Sequence, residues 1–290
     1  MQLFHAPGKT HARFDDEHVI ACAGLEPVMR LAERGDLDRL VNEPVAIADR
    51  LGVNAAAKMS SIVAGMAAGA DSIADLDALR HGGMDTLFDG IRAPSTLGSF
   101  LRSLKWGNVR QIEKVSRELV VRLATHVPLL PGADTVAFLD VDSMQKRSAG
   151  GQDELFSSYR YHAVFTDSPF HLAQAEEQHR DHAIVEQVFA DLVCGPFAHL
   201  PSGDFAANAA WLTCAAINHN LLRATGCLAG PVHARARGAT LRRGLVAVPA
   251  RLARHGRGHI TLRLPRHWRW QGAWMNVFET VHDPPLARAF

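Results

Sequence analysis

Between residues 205 and 225 the chain reads FAANAAWLTCAAINHNLLRAT, and that segment demands a core around it. It carries one formal charge, Arg223, and reads as a single strongly apolar helix. A helix apolar on all sides is stable only when other elements cover it. No stretch of the chain has about 18 consecutive apolar residues, which argues against a membrane span. Charged residues make up 21% and the set AVILMFWYC 47%, an ordinary soluble composition that excludes collagen-like, disordered and disulfide-scaffold classes. With 290 residues, one large domain or two moderate ones are possible. Cys22, Cys194, Cys214 and Cys227 fit no paired metal spacing, so reduced, mostly buried thiols of a cytosolic protein are expected. The polar opening MQLFHAPGKTHARFDDEH does not read as a signal peptide.

The net charge of +1 conceals a division. Residues 231–290 hold eleven Arg, no Lys and two acids, Glu279 and Asp283, a formal +9. The remaining residues hold 20 basic and 28 acidic groups, a formal −8. Such a split suits a polyanion-facing end, and equally an Arg-favouring genome with a solvated face.

Residues 15–125 read as mostly helical, with good windows at 19–34, 57–67 and 111–124. Within them, AIADRLGVNAAAKMSSIV (46–63) has the outline of a helix-turn-helix, whose second helix could enter a major groove. Plain packing of a helical hairpin is the alternative. The segment 93–114 opens with the helix-start signal Pro-Ser-Thr and sets Arg102, Lys105 and Arg110 beside Trp106. That grouping suits a phosphate backbone, or a solvated face over a buried Trp.

After a Pro/Gly connector at 127–134, TVAFLDVDS (135–143) reads as a buried strand ending in carboxylates. Alternation puts Phe138, Asp140 and Asp142 on one face. Carboxylates at the carboxyl end of a buried strand are costly unless they bind something, and in open α/β sheets that end holds ligands. A capped strand end is the other reading. A turn-rich break at 148–154 precedes a second strand at 158–170 and a helix over 172–192. On that helix His179, His182 and Glu186 share a face, with Arg180 on the flank. The set is compatible with a divalent metal held by Asp and Glu oxygens and with basic groups for a phosphate backbone. It departs from the helical zinc motif, which has His at i and i+4. Residues 233–258 read as a basic helix with Leu241, Leu245, Val248 and Leu252 at helical spacing, interrupted by Pro249, and 259–264 (HITLRL) as a short strand.

The segments GADSIADLDALRHGGM, APSTLGSFLR, FLDVDS, DELFSSYRYHAVFTDSPF, EEQHRDHAIVEQVFADL, HLPSGDFAANAAWL and ARHGRGHITLRLP, with FHAPGKT and FDDEHVIACAGLEPVMRLAER before them, lie in one order along nearly the whole chain. In that order they resemble the DDE transposases of bacterial insertion sequences, DDE group one. The resemblance implies a ribonuclease-H-like core in which three carboxylates hold two divalent ions, Mg²⁺ or Mn²⁺, for in-line attack on a DNA phosphodiester. The family's strand-end Asp falls on Asp142, with Asp140 as a weaker candidate, and its helical Glu on Glu186. His179, Arg180 and His182 fall where the family carries basic residues near the backbone. Arg242 and Arg243 of the basic tail are expected to touch phosphates.

The family requires a second Asp between these two, on a later strand. Only 44 positions separate Asp142 from Glu186. The missing strands and helices need roughly 70 residues at ordinary element lengths. Asp167 ends a strand, but that strand matches the one just before the Glu helix. The expectation is an internally deleted transposase, joined near 146–151. Its fold class is α/β, with mainly helical N-terminal and C-terminal regions and an incomplete ribonuclease-H-like core. The regions are 1–126 (DNA binding), 127–192 (core remnant) and 193–290 (helical, Arg-rich). The expected function is insertion-sequence transposition, binding element-end double-stranded DNA with defective cleavage and strand transfer. The alternative is a non-catalytic DNA-binding remnant that inhibits an intact transposase. Expected partners are DNA, and the chain itself or an intact transposase, in the bacterial cytoplasm and with no membrane. A metalloenzyme built on Asp142, His179, His182 and Glu186, and an Arg-rich helix lying on a membrane surface, are weaker readings.

Overall fold

The structure of the protein, a computed structural model, describes residues 7–45, 47, 50–129, 171, 173–174 and 184–283. It is mostly helical, with one small three-stranded antiparallel sheet. The chain divides into two compact units, 1–129 together with 188–290, and 130–187. The second unit lies almost wholly outside the described residues, as do the strands expected at 135–143 and 158–170.

The larger unit begins with helices α1 (Leu25–Arg34), α2 (Leu37–Asn42), α3 (Ala55–Ala68), α4 (Met84–Leu87), α5 (Pro94–Ser103) and α6 (Trp106–His126). After α7 (Ile184–Val193) comes α8 (Phe205–Ala229), followed by the short α9 (Pro231–Ala234) and α10 (Gly238–Leu241) and the terminal α11 (Gln271–His282). Strands β1 (Val19–Ile20), β2 (Ala250–Arg254) and β3 (Ile260–Arg263) pair in the order β1-β2-β3.

Helix α8 is the central element, as its apolar sequence demands. The Asp204 side chain caps its start by accepting from the Ala207 N–H at 2.9 Å, and Gly230 (φ 113°) with Pro231 ends it. Ala207, Ala210, Trp211, Cys214, Ile217 and Leu221 are all buried. Their neighbours come from α1, α3, α5, α6, α9, α10 and α11. The Trp211 Nε1–H donates to the Pro196 carbonyl at 2.6 Å, so burial leaves no polar atom of that ring unpaired. Burial pushes the Cys214 thiol up to about 12, which leaves it protonated and inert. All four cysteines are free.

The regions 1–126 and 193–290, read separately from the sequence, share one hydrophobic core. Polar contacts reinforce the join. The Arg34 guanidinium donates to the Thr280 carbonyl and, at 2.8 Å, to that of Asp283, covering the open C-terminal carbonyls of α11. His282 meets Glu26 of α1 at 3.0 Å. Gly24 passes so close to residues 245 and 246 that a Cβ there would lie 1.7 Å from the Leu245 carbonyl oxygen. The N–H groups of Ala23 and Gly24 donate to Val248 and Val246, at 2.8 and 3.2 Å.

Four local expectations change. The window 19–34 opens as strand β1, because its backbone finds partners in β2, and becomes helical only at Leu25. The 93–114 segment is two helices, α5 and α6, since Leu104 and Lys105 are extended. The helix-turn-helix outline fails in its second helix. Helix α3 is buried almost all round, and Lys58, its one charge, donates to the Leu51 carbonyl at 2.6 Å and lies 5.4 Å from the Phe100 ring centroid. The basic helix expected over 233–258 breaks into α9, α10, a π-type turn (Arg242–Val246) and then β2. Pro249 carries no N–H with which to continue a helix, and it stands just before β2, where β1 supplies a strand partner. The strand expected at 259–264 is present as β3.

Candidate nucleic-acid interface

Strands β2 and β3 form a hairpin with Leu252 opposite Leu262 and Arg251 opposite Arg263. Alternation sorts these pairs onto opposite faces. Leu252 is buried and Leu262 half-buried, while both arginines are exposed. Like charges set directly across a strand pair oppose folding. One counter-charge relieves them: Asp16 lies 3.5 Å from Arg251. Further along, Arg254 is exposed, and Arg257 occupies the loop in a left-handed conformation (φ 62°) between Gly256 and Gly258. The chain continues through exposed Arg266 and Arg269. Among the described residues, no carboxylate lies at ion-pair distance from Arg254, Arg257, Arg263, Arg266 or Arg269. The hairpin and its sequel thus present cations whose charge the fold leaves available.

The residues singled out from the sequence fare differently. Arg102 is exposed near the end of α5. Lys105 is exposed at the start of α6, where its backbone N–H donates to Asn108 Oδ1 at 2.9 Å. Trp106 beside it is 53% exposed, not buried, with its ring 5.7 Å from that of Phe205. Arg110 is paired with Glu113 at 2.9 Å, so part of its charge is spent within α6.

Arg242 and Arg243 part company. Arg243 is exposed, with no carboxylate at ion-pair distance among the described residues. Arg242 is half-buried, and its Nε has no partner. Burial holds its guanidinium below the usual value, and Asp191 opposes that shift. The side chain threads past Gly69 and Gly195, where added Cβ atoms would meet it at 3.2 and 3.3 Å. Arg242 is thereby a half-buried packing group, less open to a phosphate than Arg243.

Asp191 on α7 is a structural residue that the sequence does not single out. Its carboxylate accepts from Arg237 Nε at 2.6 Å and from the Gly238 N–H at 3.0 Å, fixing the start of α10. The partners lie 46 and 47 positions away, and no local pattern announces them.

Asp140, Asp142, His179, Arg180 and His182 lie outside the described residues. Glu186 falls on α7, with its side chain outside them as well. Among the described residues no three His, Cys, Asp or Glu side chains gather as a metal site. No helix among them is long and apolar enough to cross a membrane. Comparison of the chain with protein-family models, curated proteins and solved structures finds no match.

Proposed function

We propose that this chain is an insertion-sequence transposase of DDE descent that binds element-end duplex DNA in the bacterial cytoplasm and has lost two-metal strand transfer. The observation that carries the DNA reading is the set of exposed, uncompensated arginines along the β2–β3 hairpin and residues 263–269. A surface that sets Arg251 against Arg263 is poor for stability and good for a polyanion. The order of family-like segments supports the descent. Asp142 and Glu186, with Asp140 beside the first, are the carboxylates proposed to hold Mg²⁺ or Mn²⁺ within a remnant ribonuclease-H-like core. With the second Asp missing, a two-ion site is one carboxylate short, and in-line attack on a phosphodiester fails. His179, Arg180, His182, Arg102, Lys105 and Arg243 are assigned to the DNA backbone.

Titrating salt against binding of an element-end duplex tests this reading. The five uncompensated arginines from 254 to 269 alone give a slope of log affinity against log salt near −4 to −5, and each further phosphate contact steepens it by about 0.9. A flat response removes the DNA reading. Strand cleavage in Mg²⁺ or Mn²⁺ removes the claim of lost chemistry.

A second reading is a non-catalytic DNA-binding protein that competes with an intact transposase. It is favoured by one observation: the larger unit closes its core from residues on both sides of 130–187. Added to a strand-transfer reaction of an intact relative, the chain should lower the yield, and an unchanged yield rejects this reading.

A further inference from the structure

We propose that a pocket beside the hairpin, between the chain after β3 and the first turns of α11, takes one unpaired nucleobase with its phosphate. The inference rests on the DNA reading above and names what part of the nucleic acid this region holds.

The chain leaves β3 at Arg263, turns at His267 (φ 60°) and enters α11 after Trp270. Over this stretch arginines are interleaved with aromatic rings: Arg266, Trp268, Arg269, Trp270. A cavity of about 180 Å³ opens there. Its walls include Leu264, Trp268, Trp274 and Met275, and its polar groups are Arg266 and Gln271. The Trp268 Nε1–H donates to the Gly244 carbonyl at 2.9 Å, which fixes that ring in place. Trp274 is 4% exposed, and its Nε1–H is left without a partner. A buried donor left unpaired is costly. The Arg269 guanidinium lies 4.7 Å from the centroid of the Trp270 ring.

Size and chemistry select the occupant. The cavity is smaller than sites for drug-sized ligands and suits one ring system. Aromatic and thioether walls favour a flat π-surface. The Gln271 amide offers both donors and an acceptor to a base edge. Arg263, Arg266 and Arg269 are exposed and have no carboxylate at ion-pair distance among the described residues, so they complement a phosphate next to the base. A base inside duplex DNA is stacked, and flipping it out costs a few kcal/mol that an unpaired nucleotide is spared. A single-stranded end or free solution is therefore the favoured source of the nucleotide.

The test uses the full chain and three probes: a flush duplex, the same duplex with a three-nucleotide overhang carrying 2-aminopurine, and dAMP. The overhang duplex should bind about 10-fold more tightly than the flush one, within the range for stacking one base on an aromatic ring. Its 2-aminopurine emission should change on binding. Trp268→Ala should remove both effects and leave flush-duplex affinity unchanged. Because that ring also supports Gly244, Gln271→Ala and Arg266→Ala serve as surface variants, and each should cut the overhang advantage several-fold. Equal affinity for both duplexes, without saturable dAMP binding, overturns the pocket. So does an overhang advantage that survives Gln271→Ala, Arg266→Ala and Trp268→Ala. Saturable dAMP binding with no affinity for either duplex supports the pocket with a free nucleotide as occupant and rejects the DNA reading alone.

Discussion

Helix α3 and the β2–β3 hairpin carry opposite lessons about where a nucleic acid can bind. Helix α3 follows a Gly turn, as a groove-reading helix would, yet Met59, Ile62, Val63 and Met66 are fully buried in the shared core. The hairpin lies in a stretch whose leucines fit helical spacing, yet it sets arginines outward on a strand. The distinction is in the solvent-facing positions. Helix α3 has almost none, whereas at least every second residue of the hairpin faces water. A recognition element needs a face that folding does not consume.

Each side of that contrast can be attacked. The largest effect is expected in α3. Ile62→Asp buries an unpaired carboxylate and should cost more than about 4 kcal/mol, leaving the chain unfolded by circular dichroism. A folded Ile62→Asp protein with weakened DNA binding would return α3 to the groove.

The hairpin should behave in reverse. Arg251→Ala with Arg263→Ala should change stability by no more than about 0.5 kcal/mol in denaturant titration. The same pair should make the salt slope of DNA binding shallower by about 2 if both arginines contact phosphates. A loss of affinity confined to one DNA sequence would mean base reading instead.

The smallest effect separates the core from the cationic surface by pH. Burial lowers the pKa of His219, with Asp191 opposing and Arg223 assisting, and burial lowers that of His233. The folded chain therefore refuses protons that the unfolded chain accepts below about pH 6.5. Stability is complete above that value and declines as pH falls toward the folded-state values. Melting at pH 7.5 and 5.5 should show a drop in Tm that His219→Gln with His233→Gln reduces. An undiminished drop would place its origin elsewhere.

The long helices were legible because their signals are local. The strongly apolar composition of α8 and the periodicity of α6 need no distant partner to be recognised. The hairpin was half legible: HITLRL alternates, but ARLAR sits within a leucine spacing of four and three that equally suits a helix. Its strand character comes from pairing with β3 on one side and, on the other, with Val19 and Ile20, some 230 positions earlier. The outward charge of the tail was legible as composition, and its division into a half-buried Arg242 and an exposed Arg243 was not. That division is set by Asp191, Gly69 and Gly195, which come from separate parts of the chain. The expected carboxylates Asp140 and Asp142 fall outside the described residues, so the sequence remains their only source.

The larger unit is assembled from two lengths of chain, with residues 130–187 running between them. For that unit, joining its two lengths is a question of loop-closure entropy. Closing a flexible loop costs entropy that grows only with the logarithm of its length, about 0.6 kcal/mol for each doubling. Doubling the interval would cost the helical body about 0.6 kcal/mol, no more than losing a buried methyl group. A change of length within this interval therefore leaves the stability of the helical body nearly untouched.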